Sequence, residues 1–263
     1  MTAAVANYPL RDSTTMVRRN LKRMVRYPSM TVQLIAMPVL LLLLFVYVFG
    51  GTLGAGLGGS SGGRAEYVNY VVPAILVITI ATVVQGTAIS VAMDMTEGII
   101  ARFRTMNIAR VSVLTGHVVG SIIQVFLCLA VVIGVALAIG FRPQAGFVDW
   151  LALVGVLAAV SFALVWFTVA VGQASKTVEG ASSLPMPLMF LPFLGSGFVP
   201  TESMPASVRW FAEYQPFTPI MESIRALLMD TPVGNDVWIA LAWCAGIALL
   251  GYVWAKKLYN RQA

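Results

Sequence analysis

The residues that could carry out covalent catalysis in this chain are few and far apart. A nucleophile needs a general base within hydrogen-bonding reach. His117 is the only histidine, and it lies at the start of one long apolar stretch, whereas Ser196 lies near the end of another. The sequence therefore predicts no catalytic pair, and His117 is better explained as a residue at the edge of an apolar segment.

Metal and nucleotide chemistry are also poorly represented. Cys128 and Cys244 both lie inside apolar stretches, where cysteine behaves as a small hydrophobic residue, and no metal-ligand spacing occurs. Gly54, Gly56 and Gly59 spell a G-x-G-x-x-G, but no strand and helix of a nucleotide-binding unit flank them. Lys176-Thr177 follows serine rather than glycine, so no phosphate-binding loop is predicted.

The elements that carry these residues are predicted to be membrane helices. The chain has 263 residues, of which 59% are hydrophobic and 11% charged, whereas a soluble domain has about 25% charged residues. Six stretches have room for the roughly 20 apolar residues that cross a bilayer core of about 30 Å. The sequence therefore predicts an all-α membrane protein, a single transmembrane domain over 1–263, with spans at about 29–50, 67–93, 111–140, 150–173, 181–199 and 236–256.

The basic residues predict the orientation of these spans. With the N-terminus inside, 13 of the 17 lysines and arginines fall on the inner side, and seven of the 11 acidic residues fall outside. Cytoplasmic loops carry such an excess of basic residues. We expect a multi-pass protein of the cell membrane with both termini in the cytoplasm. The net charge of +6 is then a topology signal, and no nucleic-acid partner is predicted.

Two segments on the inner side have amphipathic patterns. In 10–27, apolar residues recur at helical spacing among six arginines and lysines, which predicts a surface helix in contact with membrane lipids; a simple basic flank is the alternative. In the loop 94–110, Ile99, Ile100, Phe103 and Met106 form an apolar face beside charged residues. A short helix docking into a groove of a cytosolic partner and a solvated loop explain this pattern equally well.

The outer segment 199–230 is apolar but too short to span the membrane in any one piece. Thr218 can cap a helix that has Pro219 in its first turn, and Glu222 and Arg225 stand three residues apart, where they can pair. A re-entrant or interfacial helical hairpin before the last span fits best. The span before it contains Pro185, Pro187 and Pro192, which predict a kinked helix, with or without a functional role.

Two groups of residues give the chain a family resemblance. The first comprises Met93-Asp94 to Gly98 and Arg102 to Met106, and the second comprises Gly197 to Pro200, Met204-Pro205, Trp210-Phe211, Gln215 to Pro219 and Arg225. Together with the surface helix and six spans, they resemble the permease subunits of type-2 ABC exporters, most closely the daunorubicin-resistance (multidrug) branch. Asn107 departs from the proline often found there, and His117 stands where arginine or lysine is common.

The resemblance implies a homodimer of this chain that works with two copies of a cytosolic ABC ATPase. ATP and Mg²⁺ would bind to the ATPase, and this chain would bind no cofactor or metal and would not itself be an enzyme. The loop 94–110 would be the coupling helix that docks on the ATPase. The residues implied in coupling are Asp94, Glu97, Gly98, Arg102, Phe103 and Arg104.

The resemblance also implies a transport route at the dimer interface, opened and closed by alternating access. The candidate pathway residues are Phe45, Gln85, Met186, Met189 and Phe190. The outer hairpin would close the exit through Phe198, Pro200, Pro216, Phe217, Pro219, Glu222 and Arg225.

The leading hypothesis is therefore an ATP-driven exporter of hydrophobic or amphipathic small molecules. An exporter of a lipid or a cell-surface glycopolymer is the alternative within the family. A passive channel or a membrane scaffold, neither of which needs an ATPase, is the alternative of another class.

Overall fold

The computed structural model describes residues 9–26, 28–56, 63–97 and 110–261, and the regular elements in these ranges are all helical. The long helices are α1 (Pro9–Arg26), α2 (Pro28–Leu44), α4 (Arg64–Thr96), α5 (Arg110–Ala138), α6 (Phe147–Ala174) and α11 (Asp236–Arg261). The short helices are α3 (Gly50–Ala55), α7 (Val178–Ser183), α8 (Met186–Phe190), α9 (Ala206–Tyr214) and α10 (Phe217–Met229). A π-helical turn, Phe45–Phe49, joins α2 to α3, and 3-10 turns lie at Leu191–Leu194 and Thr201–Ser203.

Among the residues that the structure describes, five helical stretches are long and apolar enough to cross a membrane. They are Thr31–Gly56, Arg64–Thr96, Leu114–Ala138, Phe147–Ala174 and Asp236–Leu258. A bilayer core requires about 20 helical residues, because each residue advances a helix by about 1.5 Å. The chain is thus a multi-pass membrane protein, and these five stretches fall in the first, second, third, fourth and sixth predicted windows.

The fifth predicted window, 181–199, does not form one long helix. The structure breaks it into α7, α8 and a 3-10 turn, followed by the bend at Gly195. Pro185, Pro187 and Pro192 explain the breaks, because proline lacks the N–H that continues a helix and clashes with the preceding turn. Of the six predicted spans, this window is therefore the one that the structure does not confirm as a membrane-spanning helix.

Helix α4 is the centre of the bundle. Its middle, from Val71 to Val84, is buried on all sides, whereas much of α2 and α11 is exposed. It contacts α5, α6, α7 and α10 as well as α2. The approach of α6 is close at Gly172, where a Cβ would lie 2.6 Å from the Ala88 carbonyl oxygen. Small residues allow such close packing between membrane helices.

Helix α1 is amphipathic and packs along the first turns of α5. Met16 is buried on the packed face, whereas Arg18 and Lys22 are exposed. The Asn20 side-chain amide donates to the Gly116 carbonyl oxygen over 2.8 Å. The fold therefore fastens this helix to the bundle beside the C-terminal end of α4.

Candidate functional site

A charged cluster joins three helices at the C-terminal end of α4. Arg19 of α1 donates to the Asp94 carboxylate, and the His117 Nε2 of α5 lies 3.1 Å from Asp94 Oδ2. Asp94 and His117 are each 3% exposed. A buried carboxylate is tolerated when partners of this kind satisfy it. The Asp94 carboxylate is therefore paired with groups inside the protein.

The predicted coupling residues begin at this cluster. Asp94 faces α1 and α5, and Glu97 follows the last turn of α4 with its side chain exposed. Gly98, Arg102, Phe103 and Arg104 lie outside the residues that the structure describes. Asp94 is thus placed to hold the start of the loop, while Glu97 is accessible on the surface.

A polar stripe runs along α5 from this cluster toward the middle of the membrane. His117, Ser121 and Gln124 stand at i, i+4 and i+7, the spacing of one helix face. The Thr87 hydroxyl of α4 donates to the Ser121 hydroxyl over 2.8 Å, and both residues are buried. Sequence reasoning missed this stripe, although the spacing of the three residues carries a signal for it.

The stripe lines a cavity of about 560 Å³ between α1, α2, α4 and α5. Two of the five predicted pathway residues, Gln85 and Met189, also line it. The Gln85 amide nitrogen donates to the Ser182 carbonyl oxygen over 2.7 Å, which ties α4 to α7. A cavity of this volume is in the range that holds a drug-sized ligand.

The other predicted pathway residues lie elsewhere. Phe45, at the start of the π turn, packs against Phe193 and Phe198 with ring centroids 6.2 Å and 4.2 Å away. Phe193 and Phe198 are stacked at 4.5 Å. Met186 and Phe190 on α8 are exposed. The structure therefore divides the predicted set between a cavity, an aromatic cluster and an exposed surface.

Arg225 of α10 holds the broken segment against α4. Its guanidinium donates to the Ser196 carbonyl oxygen over 2.9 Å and lies 4.0 Å from the centre of the Tyr70 ring. The Tyr70 hydroxyl donates to the same carbonyl over 2.8 Å, and Glu222 pairs with Arg225. These contacts satisfy a carbonyl that the break after α8 leaves without a helical partner.

The segment 199–230 also packs through its own polar groups. The Gln215 amide nitrogen donates to the Leu191 carbonyl oxygen over 3.0 Å, and the Thr218 hydroxyl donates to Ala212. Of the predicted gate residues, Phe198, Phe217 and Pro219 are buried, and Pro200, Pro216, Glu222 and Arg225 are half-buried. The α9–α10 pair is thus seated on the bundle.

A second arginine–glutamate pair, on α9, is exposed to solvent. The Arg209 Nε donates to the Glu213 carboxylate over 2.6 Å, one helical turn away. This hydrogen bond and the Glu213 charge raise the pKa of Arg209 above its ordinary value. Solvent screens exposed pairs, so this one adds little stability.

The family model and the relatives that match this chain all belong to ABC transporters. Residues 12–229 match the family model described as ABC-2 type transporter. A daunorubicin resistance ABC transporter permease protein of Streptomyces coeruleorubidus is 25% identical over 237 residues, which cover 90% of this chain and 81% of that protein. A probable doxorubicin resistance ABC transporter permease protein of Mycobacterium tuberculosis is 26% identical over 166 residues, which cover 62% of this chain and 59% of that protein.

Proposed function

Since this chain belongs to the ABC-2 type transporter family, we propose that it is the transmembrane subunit of an ATP-driven drug exporter. The match over residues 12–229 is the observation that carries this function, because it extends from the surface helix to the end of α10. The relatives are named for resistance to daunorubicin and doxorubicin. The transported molecules are accordingly hydrophobic or amphipathic small molecules.

The energy comes from a separate chain. The sequence has no phosphate-binding loop, so ATP and Mg²⁺ bind to two cytosolic ABC ATPase subunits. ATP binding there shifts the permease between inward-open and outward-open states, which requires a different affinity for the two states. This chain is then the conduit and not the enzyme.

Export of a small molecule explains the cavity better than export of a glycopolymer. The cavity has a volume of about 560 Å³ and lies within the bundle. A polymer would need a continuous channel along which it could slide, whereas a cavity of this size suits a molecule of drug size. A passive channel or a scaffold would need no ATPase, and the retention of an ATPase with the purified permease separates those functions from an exporter.

Both termini lie in the cytoplasm, which requires an even number of crossings. The sixth crossing is the broken segment from α7 to Val199. If its short helices lie end to end, residues 178–194 would extend about 25 Å at about 1.5 Å per helical residue, close to the bilayer core. Helices α9 and α10 would extend about 14 Å and about 20 Å, too short to cross, so they form a re-entrant hairpin that closes the outer exit.

Two copies of the chain form the transport route between them. Met186 and Phe190 of α8 and Tyr47 and Phe49 of the π turn are exposed apolar or aromatic side chains. These exposed surfaces fit an interface with a second copy. Phe45, Gln85 and Met189 would complete the route.

The loop 94–110 transmits ATP binding to the helices. Asp94 anchors its start to α1 and α5, while Glu97 and the loop residues Gly98, Arg102, Phe103 and Arg104 contact the ATPase. A movement of the ATPase would thus pull on α4 directly.

Charge reversal tests this coupling. We expect Glu97→Arg and Arg104→Glu to reduce drug-stimulated ATP hydrolysis by the assembled complex severalfold, because each reverses a charge that the loop presents to the ATPase. Membrane insertion should stay normal. Glu66→Arg, at an exposed position in the first turn of α4, is the matched control and should hydrolyse ATP like the unmodified protein. Normal drug-stimulated hydrolysis in both loop variants would overturn the coupling role.

A further inference from the structure

A second cavity, of about 440 Å³, lies where three of the long apolar helices end. Met95 and Thr96 line it from α4, residues 173–176 line it from the end of α6, and Leu258 lines it from α11. Thr96, Ala174 and Leu258 are the last residues of three of the five stretches that can cross a membrane. This cavity, which we call the span-end cavity, therefore lies at the depth of the lipid headgroups.

Gln173 has a buried side-chain amide without a hydrogen-bond partner. The residue is 3% exposed and lines the span-end cavity, and within the described part of the chain neither its Nε2 nor its Oε1 is bonded. A buried amide that loses water without gaining another partner costs free energy. Because the amide has both a donor and an acceptor, a suitable ligand supplies an acceptor and a donor close together.

The two hydroxyl groups of the cavity are used by their own helices. Ser175 Oγ and Thr96 Oγ1 donate to backbone carbonyl oxygens of the preceding turn, over 2.8 Å and 3.1 Å respectively. Lys176 is exposed and is the one fully charged lining residue among those that the structure describes. The Gln173 amide and the Lys176 ammonium are thus the side-chain donors available to an anionic oxygen atom.

The ends of α4 and α6 favour a positive charge in the same cavity. The last carbonyl oxygens of a helix have no partner within it and carry partial negative charge. Glu97 follows Thr96 in the chain and is exposed, so it adds a negative charge to this end of α4. A ligand with only negative charge would be opposed by these groups, whereas a ligand with charges of both signs would satisfy both sides.

We infer that the span-end cavity binds the headgroup of a phospholipid that carries a phosphate and a primary ammonium group, as phosphatidylethanolamine does. The phosphate accepts from Gln173 Nε2 and pairs with Lys176. The ammonium donates to Gln173 Oε1 and to carbonyl oxygens at the ends of α4 and α6. The acyl chains extend along α11, where Trp254 stands one turn before Leu258 and is 39% exposed. Tryptophan is enriched at this depth of a bilayer.

Two other headgroups fit this cavity less well. Phosphatidylcholine has the same net charge, but its ammonium carries three methyl groups and no N–H, so Gln173 Oε1 would stay without a donor. Phosphatidylglycerol has a hydroxyl donor but a net negative charge, which the helix ends and Glu97 oppose. The cavity therefore selects for the primary ammonium group.

Lipid binding to the purified full-length permease tests this inference. Native mass spectrometry of the delipidated protein, titrated with lipids of identical acyl chains, gives the dissociation constant of the first bound lipid. We expect phosphatidylethanolamine to bind at least about tenfold more tightly than phosphatidylcholine, because it adds a hydrogen bond from a charged donor. Equal affinities, or tighter binding of phosphatidylglycerol, would overturn the inference. Displacement of the lipid by an equal concentration of free phosphoethanolamine would indicate a soluble ligand and overturn it as well.

Two variants connect this binding to the span-end cavity. Gln173→Leu keeps the side-chain size and removes the amide, so the preference for phosphatidylethanolamine should fall to within about threefold. Lys176→Gln removes a charge that pairs with the phosphate of either lipid, so it should weaken both by a similar factor and leave the preference in place. Gln124→Leu, at an amide of the other cavity, and Lys22→Gln, at an exposed lysine of α1, are the matched controls and should bind like the unmodified protein.

The variants also separate this site from a contact with the ATPase. A full preference for phosphatidylethanolamine in Gln173→Leu would exclude the cavity as the headgroup site. Lys176 is exposed, so Lys176→Gln should fold normally, and unchanged affinity for both lipids in that variant would contradict the inference even where Gln173→Leu fails to fold. Unchanged lipid binding together with loss of the ATPase from the complex, in either variant, would assign the cavity to that partner and overturn the lipid site.

Discussion

At the scale of single residues, polar side chains donate hydrogen bonds to backbone carbonyl oxygens that have no helical partner. Arg225 donates to the Ser196 carbonyl oxygen, and Gln215 donates to the Leu191 carbonyl oxygen, on either side of the break after α8. In lipid an unsatisfied backbone group costs several kcal/mol, so these side chains replace the missing helical hydrogen bonds. The break after α8 is therefore stabilised by specific side-chain contacts.

Arg225 and Arg209 give a matched comparison of this effect. We expect Arg225→Gln to destabilise the permease by about 2–4 kcal/mol, because it removes a half-buried charge that holds Ser196, Glu222 and the Tyr70 ring. Arg209→Gln loses a similar pair with Glu213 on an exposed surface and should change stability little. Thermal unfolding in detergent, followed by size-exclusion chromatography, measures both. Equal unfolding temperatures for the two variants would contradict the role of Arg225.

At the scale of elements, the sequence predicted the apolar helices well and the irregular segment less well. Charge-free windows of about 20 residues identify spans directly, because a bilayer excludes charge. The prolines of window 181–199 indicated a kink, but the division into α7, α8 and a 3-10 turn depends on contacts with Tyr70 and Arg225, which are distant in sequence.

In the candidate site, too, the sequence could not reveal contacts between residues that are distant along the chain. Glu97 is accessible, as a docking residue must be, whereas the contacts of Asp94 with Arg19 and His117 join positions 75 and 23 residues away. The pairing of the α4 and α5 polar faces around the cavity also depends on packing. Periodicity within one helix could have revealed the α5 stripe, but not the helix that faces it.

The close contact between α1 and α5 leads to a prediction about how firmly α1 is held against the bundle. A Cβ at Gly116 would lie 2.5 Å from the Met16 Cβ, so Gly116→Ala must push α1 away from α5, at a cost of about 1–3 kcal/mol. We expect faster trypsin cleavage within α1, at Arg18 or Lys22, in the folded permease. Gly134→Ala on the same helix meets nothing within 4 Å and should leave the cleavage rate unchanged. Equal rates in the two variants would show that α1 is not held by this contact.

At the scale of the whole molecule, the proposed function is that of a conduit moved from the cytoplasmic side. The basic residues concentrate on the predicted inner face, and the sequence contains no phosphate-binding loop. The cluster of Arg19, Asp94 and His117 joins α1 and α5 to the end of α4, where the proposed coupling loop begins. A force applied at the loop would therefore reach α1, α4 and α5 together.

Drug transport by the reconstituted complex tests the export function most directly. The permease and its ATPase are placed in liposomes, and uptake of daunorubicin is measured in vesicles whose ATPase faces outward. We predict uptake against a concentration gradient that requires ATP and stops when the phosphate-binding lysine of the ATPase is replaced by alanine. Uptake that only equilibrates the drug, at the same rate with and without ATP, would contradict the proposed function and indicate a passive channel.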